Sequence, residues 1–246
     1  MNSLRMSWAS QAWQLTQEVA ADSEDFGTAQ HACQQAIMYA QLAGDANLQV
    51  AAYIRQANTH FHRRQSRLAL GAYEQTKPLL TQTSPLLQGR VYAGMAEIHG
   101  MRGEKQAALI AVGRAHEVYP QHPENDPAFD YTHATRYELY VFGEAQTYLF
   151  LDQPADAARA LDYAQMHIVD PHQPISQVDL LYYQAQAHAG QGELEAAKST
   201  LLEGVRLARN LGSRLYFSKL AETSEALQRR WPHEAQVNAL REAFVW

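Results

Sequence analysis

The stretch YAGMAEIHGMRGEKQAALIAVGRAHEVYP, residues Tyr92–Pro120, decides the fold. Two small residues, Ala96 and Ala108, stand twelve positions apart, and Val112 follows four later. Tyr92 lies four before the first alanine and His99 three after it, so a large-small-aromatic stripe occupies one helix face. Ala115 repeats the small residue seven after Ala108, which gives a second helix its own inward stripe. Pro120 ends that second helix. Antiparallel helices joined by a short turn approach closely only where a small side chain faces its neighbour, and alanine permits that contact.

Outward from this stretch the pattern recurs as Ala57, Ala69, Tyr73, as Ala145, Ala157, Leu161, and as Ala185, Ala197, Leu201. The large residue four before becomes Tyr53, Val141 or Leu181, and the residue three after becomes His60, Tyr148 or His188. The later small residue becomes Ala164 or Gly204, with Thr76 as the exception. Second-helix alanines 69, 108, 157 and 197 are separated by 39, 49 and 40 residues, so the units are irregular. Trp13 with Ala29, Cys33 and Ala36 forms a degenerate first pair, parted by the polar turn Asp22–Asp25. Leu215–Arg229 and Pro232–Phe244 read as a closing pair. The proline-rich spacer Tyr119–Pro127 reads as an insertion between repeats.

These residues resemble the tetratricopeptide (TPR) consensus, a helix-turn-helix unit of 34 residues. The resemblance implies an all-α, right-handed superhelical solenoid of about six helix pairs in one domain over 1–246. Its expected units are a degenerate pair at 1–43, repeats at 47–81, 86–120, 131–170 and 175–210, and a closing pair at 213–246. Leu42–Asp45, Ser84–Leu87, His122–Pro127 and Trp231–Glu234 look like the TPR sensor half of bacterial helix-turn-helix transcriptional regulators. Only about a dozen residues precede Trp13, too few for the DNA-binding domain that accompanies such sensors.

Composition narrows the partners. The net charge of −6 opposes nucleic acid and anionic membranes. The basic run Arg63, Arg64 and Arg67 reads as a solvated turn. The lone Cys33 makes no internal disulfide, and polar residues interrupt Met1–Ala20, so a cytoplasmic location without export is expected.

Motifs for chemistry are missing. There is no P-loop and no Gly-x-Ser-x-Gly elbow, and Gly190-Gln191-Gly192 is too short for a dinucleotide fingerprint. His116-Glu117 and His233-Glu234 each lack the second histidine of a zincin, and His60, His99 and His188 fall in different repeats, about one helix-packing distance apart. No cofactor, metal or catalytic residue is assigned, although an acid-base pair assembled from distant residues leaves enzymatic activity an open question.

The resemblance implies that the first helix of each pair faces a concave groove. Its register there carries Ile54, Asn58, Phe61 and His62, then Arg90, Glu97 and Met101, then Phe142, Gln146, Leu149 and Phe150, then Asp179, Tyr182 and Gln186, with Tyr183 adjacent. Asn58, Gln146 and Gln186 share one position and form a candidate amide ladder for a peptide backbone. Only Arg90 and the nearby Arg55 are basic, so a carboxylate clamp is not expected. The expected function is regulatory recognition of a peptide or protein segment. The alternative is a small-molecule binder or enzyme using an aromatic cavity around Phe142, Phe150, Tyr182 and Tyr183. A homo-oligomer is a further option.

Overall fold

A computed structural model describes residues 3–168 and 174–244; the outermost ends of the expected units, at 1–2, 169–170 and 245–246, lie outside them. The chain is all-helical, and no strand occurs among the described residues. The first half comprises α1 (Ser3–Asp22), α2 (Phe26–Ala43), α3 (Ala46–His62), α4 (Ser66–Glu74), α5 (Pro85–Met101) and α6 (Lys105–Val118). Short α7 (Phe129–Thr132) and α8 (Arg136–Glu138) follow, and α8 runs through a π-helical stretch, Leu139–Ala145, into α9 (Gln146–Phe150). The remainder is α10 (Pro154–Met166), α11 (Pro174–Gln191), α12 (Leu194–Leu211), α13 (Arg214–Arg230) and α14 (Ala235–Asn238).

Local sequence explains where these helices start and stop. Asp25 accepts the Thr28 amide at the head of α2, Asp45 accepts the Leu48 amide at the head of α3, and Ser213 accepts the Tyr216 amide at the head of α13. At the turns between helices the chain enters the left-handed region at Glu24, Gly44, Arg64, Gly103, Asp152, Gly192 and Gly212. In each case the next residue's amide reaches back five positions to a carbonyl, as in Glu104 to His99 and Glu193 to His188 at 2.9 Å. His60, His99 and His188 use their Nδ1 atoms to pin these same turns, against Gln65, Glu104 and Glu193 at 3.0, 2.6 and 2.6 Å. Each histidine therefore has its own structural partner.

The eight alanines at 57, 69, 96, 108, 145, 157, 185 and 197 are all fully buried, as close helix packing requires. Two layers result. α1, α3, α5, the α8–π–α9 run, α11 and α13 touch one another in that order, and α13 returns to touch α1. This inner ring is backed by α2, α4, α6, α10 and α12, each packed on an adjacent inner helix. Across the closure Ser213 donates to Asp22 and Arg64 pairs with Glu222.

The spacer after α6 is built into the body of the fold. Tyr119, Pro123, Asp126, Ala128 and Ala134 are buried. Asp126 accepts the Leu86 amide at the head of α5 at 3.1 Å and the Ala128 amide at 2.9 Å, while the Tyr119 hydroxyl donates to the Thr135 carbonyl at 2.7 Å. The π-helical stretch is a departure from the regular helix that the repeat pattern leads one to expect. There Gly143 lies so close to α5 that a Cβ would stand 2.9 Å from that of Ala93.

Candidate functional site: a charged cavity inside the helix ring

The inner helices surround a half-open cavity of about 700 Å³, within the range of small-ligand sites. Every inner helix contributes, among others Gln14 and Gln17 from α1, Asn58 and His62 from α3, Arg90 and Glu97 from α5, Phe142 from the π stretch, Asp179 and Tyr183 from α11, and Lys219 from α13. The spacer adds Tyr119, and α7 with the turn after it adds Tyr131 and His133.

Of the sequence-predicted site residues, Asn58, Phe61, His62, Arg90, Glu97, Phe142, Gln146 and Tyr183 line this cavity, as do Ile54 and Asp179. Phe150, Tyr182 and Gln186 do not. Phe150 is 38% exposed and meets Phe61 edge-on at 6.0 Å. Tyr182 stacks edge-on against Tyr183 at 4.7 Å and carries Lys219 over its ring at 5.6 Å, so it supports the wall from behind. The three-member amide ladder is thus reduced to Asn58 and Gln146. Asn58 already accepts from the Tyr73 hydroxyl at 3.4 Å. Met101 and Leu149 also lie off the cavity wall.

Charge distinguishes this cavity from ordinary helical packing. Glu97 and Asp179 are 7% and 3% exposed. Among the described residues neither forms an ion pair, and Asp179 Oδ1 is buried without a hydrogen-bond partner. Burial pushes the Glu97 carboxyl up to about 8, against the opposing pull of Arg90 and Lys219. Burial likewise raises Asp179 to about 6, while Lys219 and the Tyr216 hydroxyl favour its ionised form.

The basic residues Lys219, Arg90 and His62 of the wall are half-buried. Burial depresses Lys219 while Asp179 and Glu97 oppose that shift, and its ammonium lies 5.0 Å from the Tyr216 ring centroid. Burial also works against the charge on Arg90, but Tyr119, Glu138, Tyr73 and Glu97 together outweigh it and hold the guanidinium firmly protonated. Burial, reinforced by Lys219, lowers His62 to about 3, so its imidazole is neutral at ordinary pH.

Gln17 Oε1 and the Tyr131 hydroxyl also face the wall unpartnered, whereas other polar residues there are satisfied within the protein. Glu18 pairs with Arg55 at 3.1 Å, and Glu138 accepts from the Thr135 amide and hydroxyl at 2.6 Å in a capping box. Cys33 lies outside the cavity and is fully buried, with burial pushing its thiol up to about 11, so it is an inert core residue. No cluster of three metal-ligating side chains occurs among the described residues.

Sequence reading missed Lys219, Tyr216, Tyr137 and the polar face of α1. A usable signal existed for Lys219: it falls within the α13 stripe whose buried positions are Tyr216, Leu220, Thr223, Ser224 and Leu227. A lysine on such a stripe reads as a charge turned toward an interior space.

Fold and site together define a class: an all-helical protein whose inner ring surrounds a cavity lined by acidic and basic groups without ion-pair partners. No protein-family model matches the chain, and neither does any curated protein. No described helix is long and apolar enough to cross a membrane.

Proposed function

We propose that this is a TPR-like solenoid of the bacterial sensor type, a cytoplasmic regulatory protein that recognises a peptide or protein segment on its concave side. In this reading the first helices of the repeats form the inner ring, and the cavity is the groove. The observation that carries it is the pair of buried carboxyls, Glu97 and Asp179, without ion-pair partners and with one Asp179 oxygen unpartnered, facing a 700 Å³ space. Desolvated charges left unmatched are costly, and a protein keeps them where a ligand supplies the counter-charge. Amides at Asn58 and Gln146 supply donors and acceptors for a peptide backbone in the same wall.

Equilibrium dialysis of the protein against random-sequence peptide pools, with calorimetry on the peptides retained, tests this. Asn58→Ala combined with Gln146→Ala is expected to weaken retained peptides by roughly tenfold, the worth of one or two hydrogen bonds. Unchanged affinity removes the amides from the site, and retention of no peptide overturns the reading. The cavity's enclosure by six helical segments also favours a second reading, a small-molecule binder or enzyme. Protonated Glu97 as an acid and ionised Asp179 as a base are the groups such chemistry would use.

A further inference from the structure

Among the described residues Arg90, Glu97, Asp179 and Lys219 share the cavity wall without ion-pair partners; Asp22 and Glu138 also line it without an ion pair, but Ser213 and Thr135 hold them by hydrogen bonds. Arg90 and Glu97 lie seven residues apart on α5, about 10 Å along the helix axis. Arg90 sits beside the Tyr119 hydroxyl at one end. Asp179 sits with Tyr216 and Lys219 at the other, and Glu97 lies between, close enough to feel Arg90, Lys219 and Asp179. The acidic pair is nine-tenths buried, and one Asp179 oxygen has its hydrogen-bonding capacity unused.

The interior of a long peptide, whose backbone is neutral, would leave the Asp179 carboxylate and the Arg90 guanidinium without counter-charges. The arrangement does match a molecule carrying one cation and one anion of its own. We infer that the cavity takes a small free zwitterion, an amino-acid derivative or short peptide, with its ammonium held between Glu97 and Asp179 and its carboxylate on Arg90. A planar guanidinium receives a carboxylate through two parallel hydrogen bonds, which fixes the anionic end. The two acids, one already touching Tyr216, fix the cationic end, and Lys219 lies near Asp179, beyond ion-pair distance, as the fourth group.

This inference rests on the binding reading above and is tested separately from it. A tripeptide pool with free termini, the same pool N-acetylated, and the same pool C-amidated are each dialysed against the protein and measured by mass spectrometry. Free tripeptides are expected to be retained roughly tenfold or more above either capped pool. Asp179→Asn should abolish the discrimination against N-acetylation alone, and Arg90→Gln the discrimination against C-amidation alone, with circular dichroism establishing that both variants fold. Equal retention of free and capped tripeptides overturns the zwitterion while leaving groove binding intact. So does retention of a longer capped peptide pool when no tripeptide is held. If neither short nor long peptides are retained, the binding reading falls with it.

Discussion

Glu97 is a carboxyl that folding moves out of water without giving it an ion-pair partner, and this has a measurable consequence for stability. Its proton is held up to about 8 in the folded state, against an ordinary value of 4.5. Between those values the unfolded chain has released the proton and the folded chain retains it, so stability falls as pH rises across that window. Asp179 adds a fall of the same sign from 3.8 to about 6. Glu97→Gln keeps the shape and removes the titration. Thermal melts of the variant are expected to lose the part of the decline between pH 6 and 8 that the parent shows, leaving the variant relatively more stable at the alkaline end by a few kcal/mol. Parallel pH profiles would show that Glu97 reaches water in the folded state. Gly94 sets a different limit in the same wall. A Cβ there would stand 1.9 Å from the Tyr73 hydroxyl, so Gly94→Ala should lower the denaturant midpoint by the equivalent of about 1–3 kcal/mol, the usual cost of overpacking. An unchanged midpoint would mean that Tyr73 swings freely away.

At the scale of elements, legibility follows the range of the interaction. The alanine pairs were readable because a fixed twelve-residue spacing is a local signature, and all eight are buried. Arg90, Glu97 and Asn58 were readable as facing one groove only through the concave register that the TPR resemblance implies. The π-helical stretch was not, since nothing in Leu139–Ala145 announces the extra residue per turn; it accompanies a packing demand from Ala93 on another helix. The spacer after α6 was legible as a loop from its prolines. Its second role, capping α5 through Asp126 and walling the cavity through Tyr119, depends on contacts with residues far away in the chain. Asp126→Ala tests that role. It leaves the buried Leu86 and Ala128 amides without their acceptor, so a loss of about 2 kcal/mol or more in chemical denaturation is expected. Asp126→Asn, which keeps one acceptor oxygen, should lose less, and a neutral Asp126→Ala would mean that water replaces the carboxylate.

The molecule as a whole differs from an open row of helix pairs in how its ends are treated. In an open row each unit touches only its neighbours, and the terminal helices have the least to hold them. Here α1 and α13 meet, with Ser213 on Asp22 and Arg64 on Glu222 joining residues far apart in the chain. No residue pattern within a repeat foretells this contact, because it depends on curvature accumulated over every pair. Closure turns a groove into a cavity, and it explains why Lys219, near the end of the chain, shares one space with Gln14 near its beginning. It also couples the two ends energetically. Native-state hydrogen exchange should find α1 and α13 protected to a similar degree, and Asp22→Ala combined with Glu222→Ala should lower the protection of both together while leaving α6 unchanged. Loss confined to α13, with α1 still protected by its long packing on α2, would show that the ring is closed geometrically but not cooperatively, and that the cavity opens by release of α13 alone.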